Sequence, residues 1–184
     1  LDDAVAVSAA GEWTDASRLT VDCETALTMS ADKTAVYSFS APLRAGAVLA
    51  GADAAAEDEL ARVAQHLGIA FQLVDDLIGA FGTPTQAGRD VGADLREGKH
   101  TPLVALAREK TSWPDVAGAL ALAHTGPVAV LRAQQELERS GARDEMTALV
   151  YDYLAYARAD TASLPGGVSA LVDEVAAEIE SRVP

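Results

Sequence analysis

AEDELARVAQHLGIAFQLVDDLIGA, residues 56–80, is the stretch on which the fold turns. Its apolar residues Leu60, Val63, Leu67, Phe71, Val74 and Ile78 are spaced 3, 4, 4, 3 and 4 apart. That spacing keeps one apolar stripe on one side of a 3.6-residue helix. Gln72, Asp75, Asp76 and Gly79 follow at i, i+3, i+4 and i+7 and make a narrow polar stripe beside it. The two adjacent carboxylates lie near the C-terminal end of this helix, where the helix dipole is negative and acids are disfavoured. They are either a solvated helix terminus or a pair that holds something positive. A hard divalent cation such as Mg²⁺ takes one or two carboxylates together with phosphate oxygens of a substrate.

The rest of the chain reads the same way. Residues 4–19 and 22–51 have helical character, the second with a break expected near Pro42. Helices are expected over 102–110, 113–124, 127–139, 142–163 and 167–182, punctuated at Pro114, Gly126–Pro127, Ser140–Gly141 and Pro165–Gly166–Gly167. No alternating strand pattern and no fixed-period repeat is present, so the fold class is all-α, a bundle of mostly antiparallel helices. Residues 82–102, GTPTQAGRDVGADLREGKHTP, contain four Gly and two Pro and read as a long loop. Loops of that length in a compact domain are usually functional or disordered.

Composition narrows the partners. With 28 acidic against 14 basic residues the formal net charge is −14, which argues against nucleic acid and anionic membranes. An anionic small molecule remains compatible, because basic residues can cluster locally. A single cysteine, Cys23, excludes an internal disulfide framework and a cysteine zinc site, and suits a reducing cytoplasm. No signal peptide and no apolar run long enough for a membrane span is visible. The chain opens on Leu1 rather than Met, which suits a trimmed product or part of a longer chain.

Arg89, Arg96 and Lys99 follow the acidic pair, and Arg89 and Lys99 each come after a Gly that lets the backbone approach a ligand. Singly, each is an ordinary solvated charge. Cations just after a pair of metal-type carboxylates point to a polyanion gripped through its oxygens. Upstream, Lys33 and Thr34 place a cation and a hydroxyl side by side in an apolar helix, which a diphosphate would satisfy; an exposed helix start would leave them equally at ease.

In this order, the pieces resemble the trans-prenyl diphosphate synthases, over essentially the whole chain and against the C-terminal half or so of that family. GEWTD (11–15) is similar to a family helix element, and KTAVYSFSAPLRAGAVLAGA (33–52) to its Lys-Thr helix. LGIAFQLVDDLIGAFG (67–82) looks like the second aspartate-rich motif, and GRDVGADLREGKHTP (88–102) like the loop after it. The resemblance implies an isoprenoid-synthase-type bundle around a central cavity, with residues 1–184 the C-terminal portion of a single domain. It implies Mg²⁺ held by Asp75 and Asp76 and bridged to an allylic diphosphate. Lys33, Arg89 and Lys99 would contact that diphosphate, Thr34 and Gln72 would line the reacting cavity, and Phe71 would help line it or simply fill the core. The reaction implied is ionisation of the allylic diphosphate, attack by isopentenyl diphosphate on the resulting cation, and proton loss. No side-chain nucleophile is required, so His66 and His100 read as structural or solvated. The family is usually a homodimer, and the expected location, from the single cysteine, is cytoplasmic.

Three departures stand out. Gly79 occupies the third position of the usual DDxxD and removes one metal-facing carboxylate. Arg89 stands where Lys is usual, and Glu12 where Gln is common. The first aspartate-rich motif also has no counterpart: the only other Asp-Asp is Asp2–Asp3, in the wrong context. The N-terminal helices are therefore expected ahead of Leu1, and residues 1–184 alone are expected to be inactive. Two other readings stay open, a non-catalytic or regulatory subunit paired with a full-length synthase, and a terpene cyclase of the same fold. The Lys-Thr helix and the Gly-Arg and Gly-Lys sites speak against the cyclase.

Overall fold

The computed structural model describes residues 22–184 except Arg89, and ahead of them only Ala6 and Ala9. The helix expected over 4–19 otherwise, the GEWTD element with Glu12, and Asp2–Asp3 lie outside the described residues, as do Arg89 and the side chain of Lys33. Every regular element among the described residues is helical, as the periodicity predicts.

The first helical run opens as α1 (Cys23–Ser30), widens into a π-helical stretch (Ala31–Ser40) and returns to α geometry as α2 (Ala41–Leu49). The break expected at Pro42 does not occur. The α geometry resumes one residue before Pro42, so the proline sits in a first turn, where its missing N–H costs least. π-helical geometry is rare, and its usual short bulges within α-helices are frequent at functional sites. Nothing in the local sequence announces this one.

A turn through Gly51 leads into α3 (Ala54–Phe81), whose start is capped by Asp53 accepting a hydrogen bond from the Ala56 N–H at 2.9 Å. α3 is the centre of the bundle and packs against the π stretch, α2 and most later helices. The predicted stripe is buried, with only Phe71 half-buried. Burial extends beyond that stripe. Ala64, Gly68, Ile69, Ala70, Leu73, Leu77, Gly79 and Ala80 are also enclosed, so the polar groups that the C-terminal half of α3 shows to solvent are Gln72, Asp75 and Asp76, beside the half-buried rings of Phe71 and Phe81. Each fully enclosed Leu or Val contributes about 1.5–3 kcal/mol of transfer free energy.

The long loop expected over 82–102 holds two short helices, α4 (Pro84–Ala87) and α5 (Ala93–Glu97), and the described residues between them are non-helical. α4 starts on a capping box in which Thr83 and Gln86 exchange hydrogen bonds. The turn into α5 requires Gly92, which has φ +68° and a position where a Cβ would stand 2.3 Å from Val130 Cγ1. In the sequence pattern four glycines signal looseness; in the fold one of them is what permits close packing against a neighbouring helix.

The remaining helices are α6 (Pro102–Arg108), α7 (Trp113–Leu122) continued by a 3₁₀ turn (Ala123–Thr125), α8 (Pro127–Arg139), α9 (Ala142–Ala159) and α10 (Gly166–Ser181). α9 runs along α3, and Met146, Val150, Leu154 and Ala157 at helical spacing are buried in the interface. α8 secures the far end of α3, where Gln134 Nε2 donates to the Ala80 carbonyl at 2.6 Å and satisfies one of the carbonyls a helix terminus leaves open. His66, on α3, forms a three-ring cluster with Tyr153 and Tyr156, with Nδ1 3.3 Å from Asp160 Oδ2. Burial pushes its imidazole below the usual histidine range, against the opposite pull of Asp160.

Candidate active site

The polar stripe of α3 is the wet face of an otherwise enclosed helix end, and Gln72 is its hub. The Gln72 Oε1 accepts from the Thr34 hydroxyl at 2.5 Å, and its Nε2 donates to Asp76 Oδ1 at 3.0 Å. A single amide orientation serves both contacts. Three residues singled out by the sequence, Thr34, Gln72 and Asp76, thus form one continuous chain of hydrogen bonds.

The link between Thr34 and Gln72 depends on close backbone approach. A Cβ at Gly68 would fall 2.2 Å from Ala35 Cβ and 2.4 Å from Ala35 Cα. Gly68 therefore lets the π stretch lie directly on α3, one turn before Gln72. Phe39, further along the same stretch, meets Phe71 with ring centroids 5.6 Å apart.

Asp75 is held from a different direction. Arg182, which follows α10, donates through Nη2 to Asp75 Oδ1 at 2.6 Å, and its guanidinium lies 4.6 Å from the centre of the Phe71 ring. Arg182 is absent from the residues that the sequence singles out. No local spacing could point to it, since 107 residues separate the pair. Gly79, the missing third acid of the motif, is buried, so a carboxylate there would have to enter enclosed surroundings.

Lys99 is placed by its own loop. Its Nζ sits 2.5 Å from Oδ1 of the buried Asp94 and 3.4 Å from Glu97 Oε2. Gly98, at φ +68°, turns the chain so that this can happen, and the Lys99 N–H also donates to the Asp94 carbonyl. A buried carboxylate needs a cation, and Lys99 supplies it. The sequence shows the Asp94–Lys99 spacing, but only the fold shows that this charge serves a carboxylate as well as any ligand. Lys99 also lines a cavity of about 270 Å³ with His100, Arg108 and Trp113. A larger apolar cavity, about 680 Å³, lies between α2, the start of α3 and α10. Leu60, the wall residue of α3 nearest the acids, is 15 residues before Asp75, roughly 22 Å along the helix, so this cavity does not adjoin the acidic pair.

The acidic pair fits a hard divalent cation by its chemistry. The donors are carboxylate oxygens on adjacent residues, and both side chains are only partly buried. Among the described residues no third His, Cys, Asp or Glu joins them. Two carboxylates are what Mg²⁺ uses when water and substrate phosphate complete its shell. Cys23 is unsuited to nucleophilic work: burial first, then Glu109 and Glu145, pushes its thiol above the usual range.

The family model for polyprenyl synthetase matches residues 1–124. The chain belongs to that family. Among curated polyprenyl synthetases, the (2E,6E)-farnesyl diphosphate synthase of Mycobacterium tuberculosis is 42% identical over 85 residues, covering 46% of this chain and 23% of that protein. The geranylfarnesyl diphosphate synthase of Aeropyrum pernix is 36% identical over 122 residues, covering 64% of this chain and 37% of the relative. The chain thus spans well under half the length of these relatives. The fold matches the crystal structure of a Corynebacterium glutamicum geranylgeranyl pyrophosphate synthase complexed with isoprenyl diphosphate and magnesium, with a TM-score of 0.88 and 29% identity over 98% of this chain and 54% of that one. The isoprenoid-synthase-type all-α bundle expected from the sequence is therefore the fold of this chain. No described helix is long and apolar enough to cross a membrane.

Proposed function

We propose that the complete protein is a Mg²⁺-dependent prenyltransferase that condenses isopentenyl diphosphate with an allylic prenyl diphosphate, yielding a farnesyl- or geranylgeranyl-type product and releasing diphosphate. The observation that carries this reading is the hydrogen-bond chain Thr34–Gln72–Asp76, which joins the Lys-Thr helix to the second aspartate-rich motif. The names of the relatives and the magnesium and isoprenyl diphosphate in the corynebacterial structure support it.

On this reading Asp75 and Asp76 hold the metal. Bound there, Mg²⁺ would supply positive charge against which diphosphate can depart. Lys33, Arg89 and Lys99 contact the diphosphate. Lys99 has three N–H donors and can keep Asp94 while offering another to an anion. Thr34 and Gln72 line the reacting end of the cavity, and Gln72 fixes Asp76 so that its charge is aimed before substrate arrives.

The reading takes residues 1–184 as the C-terminal part of one domain whose first aspartate-rich motif lies ahead of Leu1, in a cytoplasmic homodimer. Tyr37, Val48 and Leu49 are exposed apolar side chains on the Lys-Thr helix, a face that suits cover by further helices. The test uses the protein from its full reading frame with labelled isopentenyl diphosphate and an allylic diphosphate. Expected are a longer prenyl diphosphate with Mg²⁺, none with EDTA, and little from residues 1–184 alone. Product formed only after mixing with another full-length synthase would replace this reading with the regulatory-subunit one.

Gln72 offers a finer check. Gln72→Leu leaves the Thr34 hydroxyl and Asp76 without their shared amide. Each of these partly buried hydrogen bonds is worth about 0.5–1.5 kcal/mol, so kcat is expected to fall roughly 10- to 100-fold. Gln72→Glu should be worse, because it sets a like charge beside Asp76. Wild-type kcat in both variants would remove Gln72 from the site.

A further inference from the structure

We infer that Arg182 is the built-in counter-ion of the acidic pair, and that it raises the divalent-cation concentration this site requires. The inference rests on the metal role of Asp75 and Asp76 proposed above, and it concerns a residue outside the aspartate-rich motif.

Two adjacent carboxylates at the C-terminal end of α3 repel each other and face the negative end of the helix dipole. Without a metal, something else must balance them. Arg182 does so, with Nη2 2.6 Å from Asp75 Oδ1. The guanidinium is not a wandering surface group. It stacks on Phe71, one turn back along α3, at 4.6 Å. Its backbone is held too: the Arg182 N–H donates to the Ile179 carbonyl at the end of α10, where Ile179 is buried. Two residues on, the Pro184 carbonyl accepts from Arg143 Nη2 at 2.9 Å, and the Arg143 guanidinium stacks on Phe81, the last residue of α3, at 4.6 Å. Residues 182–184 therefore lie along the end of α3 that carries the acids.

The side chains of Arg182 and Asp75 are 32% and 40% exposed. Their interaction is partly screened, yet stronger than that of a pair in open water. A divalent cation on Asp75 would share that carboxylate with a fixed positive charge, and the repulsion weakens its binding. Asp76 is oriented in part by the Gln72 amide, whose Nε2 donates to its Oδ1. Arg182 thus supports the fold when metal is absent and opposes metal when it arrives.

The test is Mn²⁺ binding without substrate, followed by the electron paramagnetic resonance of the free ion, on the protein from its full reading frame. Arg182→Gln should bind Mn²⁺ about five- to tenfold more tightly than wild type. It should also melt at a lower temperature without metal, with the difference closing at saturating Mn²⁺. Arg182→Lys keeps the charge and should stay within about twofold of wild type. Equal or weaker Mn²⁺ binding by Arg182→Gln, in a protein that still melts cooperatively, overturns the counter-ion role. Failure of every variant to bind Mn²⁺, wild type included, overturns the metal role of the pair and this inference with it; an unchanged number and affinity of bound Mn²⁺ ions in Asp75→Asn and Asp76→Asn does the same.

Discussion

Asp75→Ala and Asp76→Ala are each expected to lower prenyl transfer by the complete protein about 10²- to 10⁴-fold while leaving its helical content intact. A metal that meets charge developing on a leaving group is worth several kcal/mol in the transition state, and each 1.36 kcal/mol is tenfold in rate. Neither side chain belongs to the hydrophobic core, so the bundle should survive its loss. Asp75 gives up a partly exposed ion pair with Arg182, and the contacts Asp76 gives up include the hydrogen bond from Gln72. The two variants should differ in character. Asp76→Ala also breaks the chain to Thr34, whereas Asp75→Ala frees Arg182 and leaves that chain whole. Steady-state rates over a Mg²⁺ series, with circular dichroism beside them, check both. Near wild-type turnover at saturating Mg²⁺ in either variant would show that its carboxylate is not a metal ligand.

Gly68→Ala is expected to have the second largest effect, through packing. Its new methyl group would fall on the backbone of Ala35, at 2.4 Å from Cα, and a main chain cannot swing aside as a flexible side-chain tip can. Overpacking of this kind costs about 1–3 kcal/mol. The π stretch must move away from α3, taking with it Thr34 and its 2.5 Å contact to Gln72. A displacement near 1 Å can cost about 10²-fold in rate, so kcat should fall by about that much along with the melting temperature. Gly118→Ala is the control. That glycine is exposed within α7, with nothing within 4 Å of the added atom. The same substitution there should stabilise by roughly 0.5–1 kcal/mol and leave kcat alone. If Gly68→Ala kept wild-type rate and stability, the close approach would not be what seats Thr34.

Most of the secondary structure is legible in the sequence because helical period is local. Residues 56–80 read as a helix, and the helix is Ala54–Phe81; the breaks at Gly126–Pro127 and Ser140–Gly141 fall where expected. Punctuation is less reliable. Pro42 reads as a break and is a first-turn residue, and the Gly-rich 82–102 reads as a loop and holds α4 and α5. In both cases the position of the residue within a helix start decides the outcome: Pro42 and Pro84 stand in first turns, and Thr83 and Gln86 cap the second of them.

Spacing along single chain segments is enough to establish the helical class, the acidic stripe beside an apolar one, and the order of motifs that the polyprenyl synthetase family shares. Which groups meet is a matter of packing. Thr34 reaches Gln72 across 38 residues because Gly68 admits Ala35, and Arg182 reaches Asp75 across 107 because α10 returns along α3. Such pairings follow from how helix faces stack, and stacking depends on residues far apart in the chain.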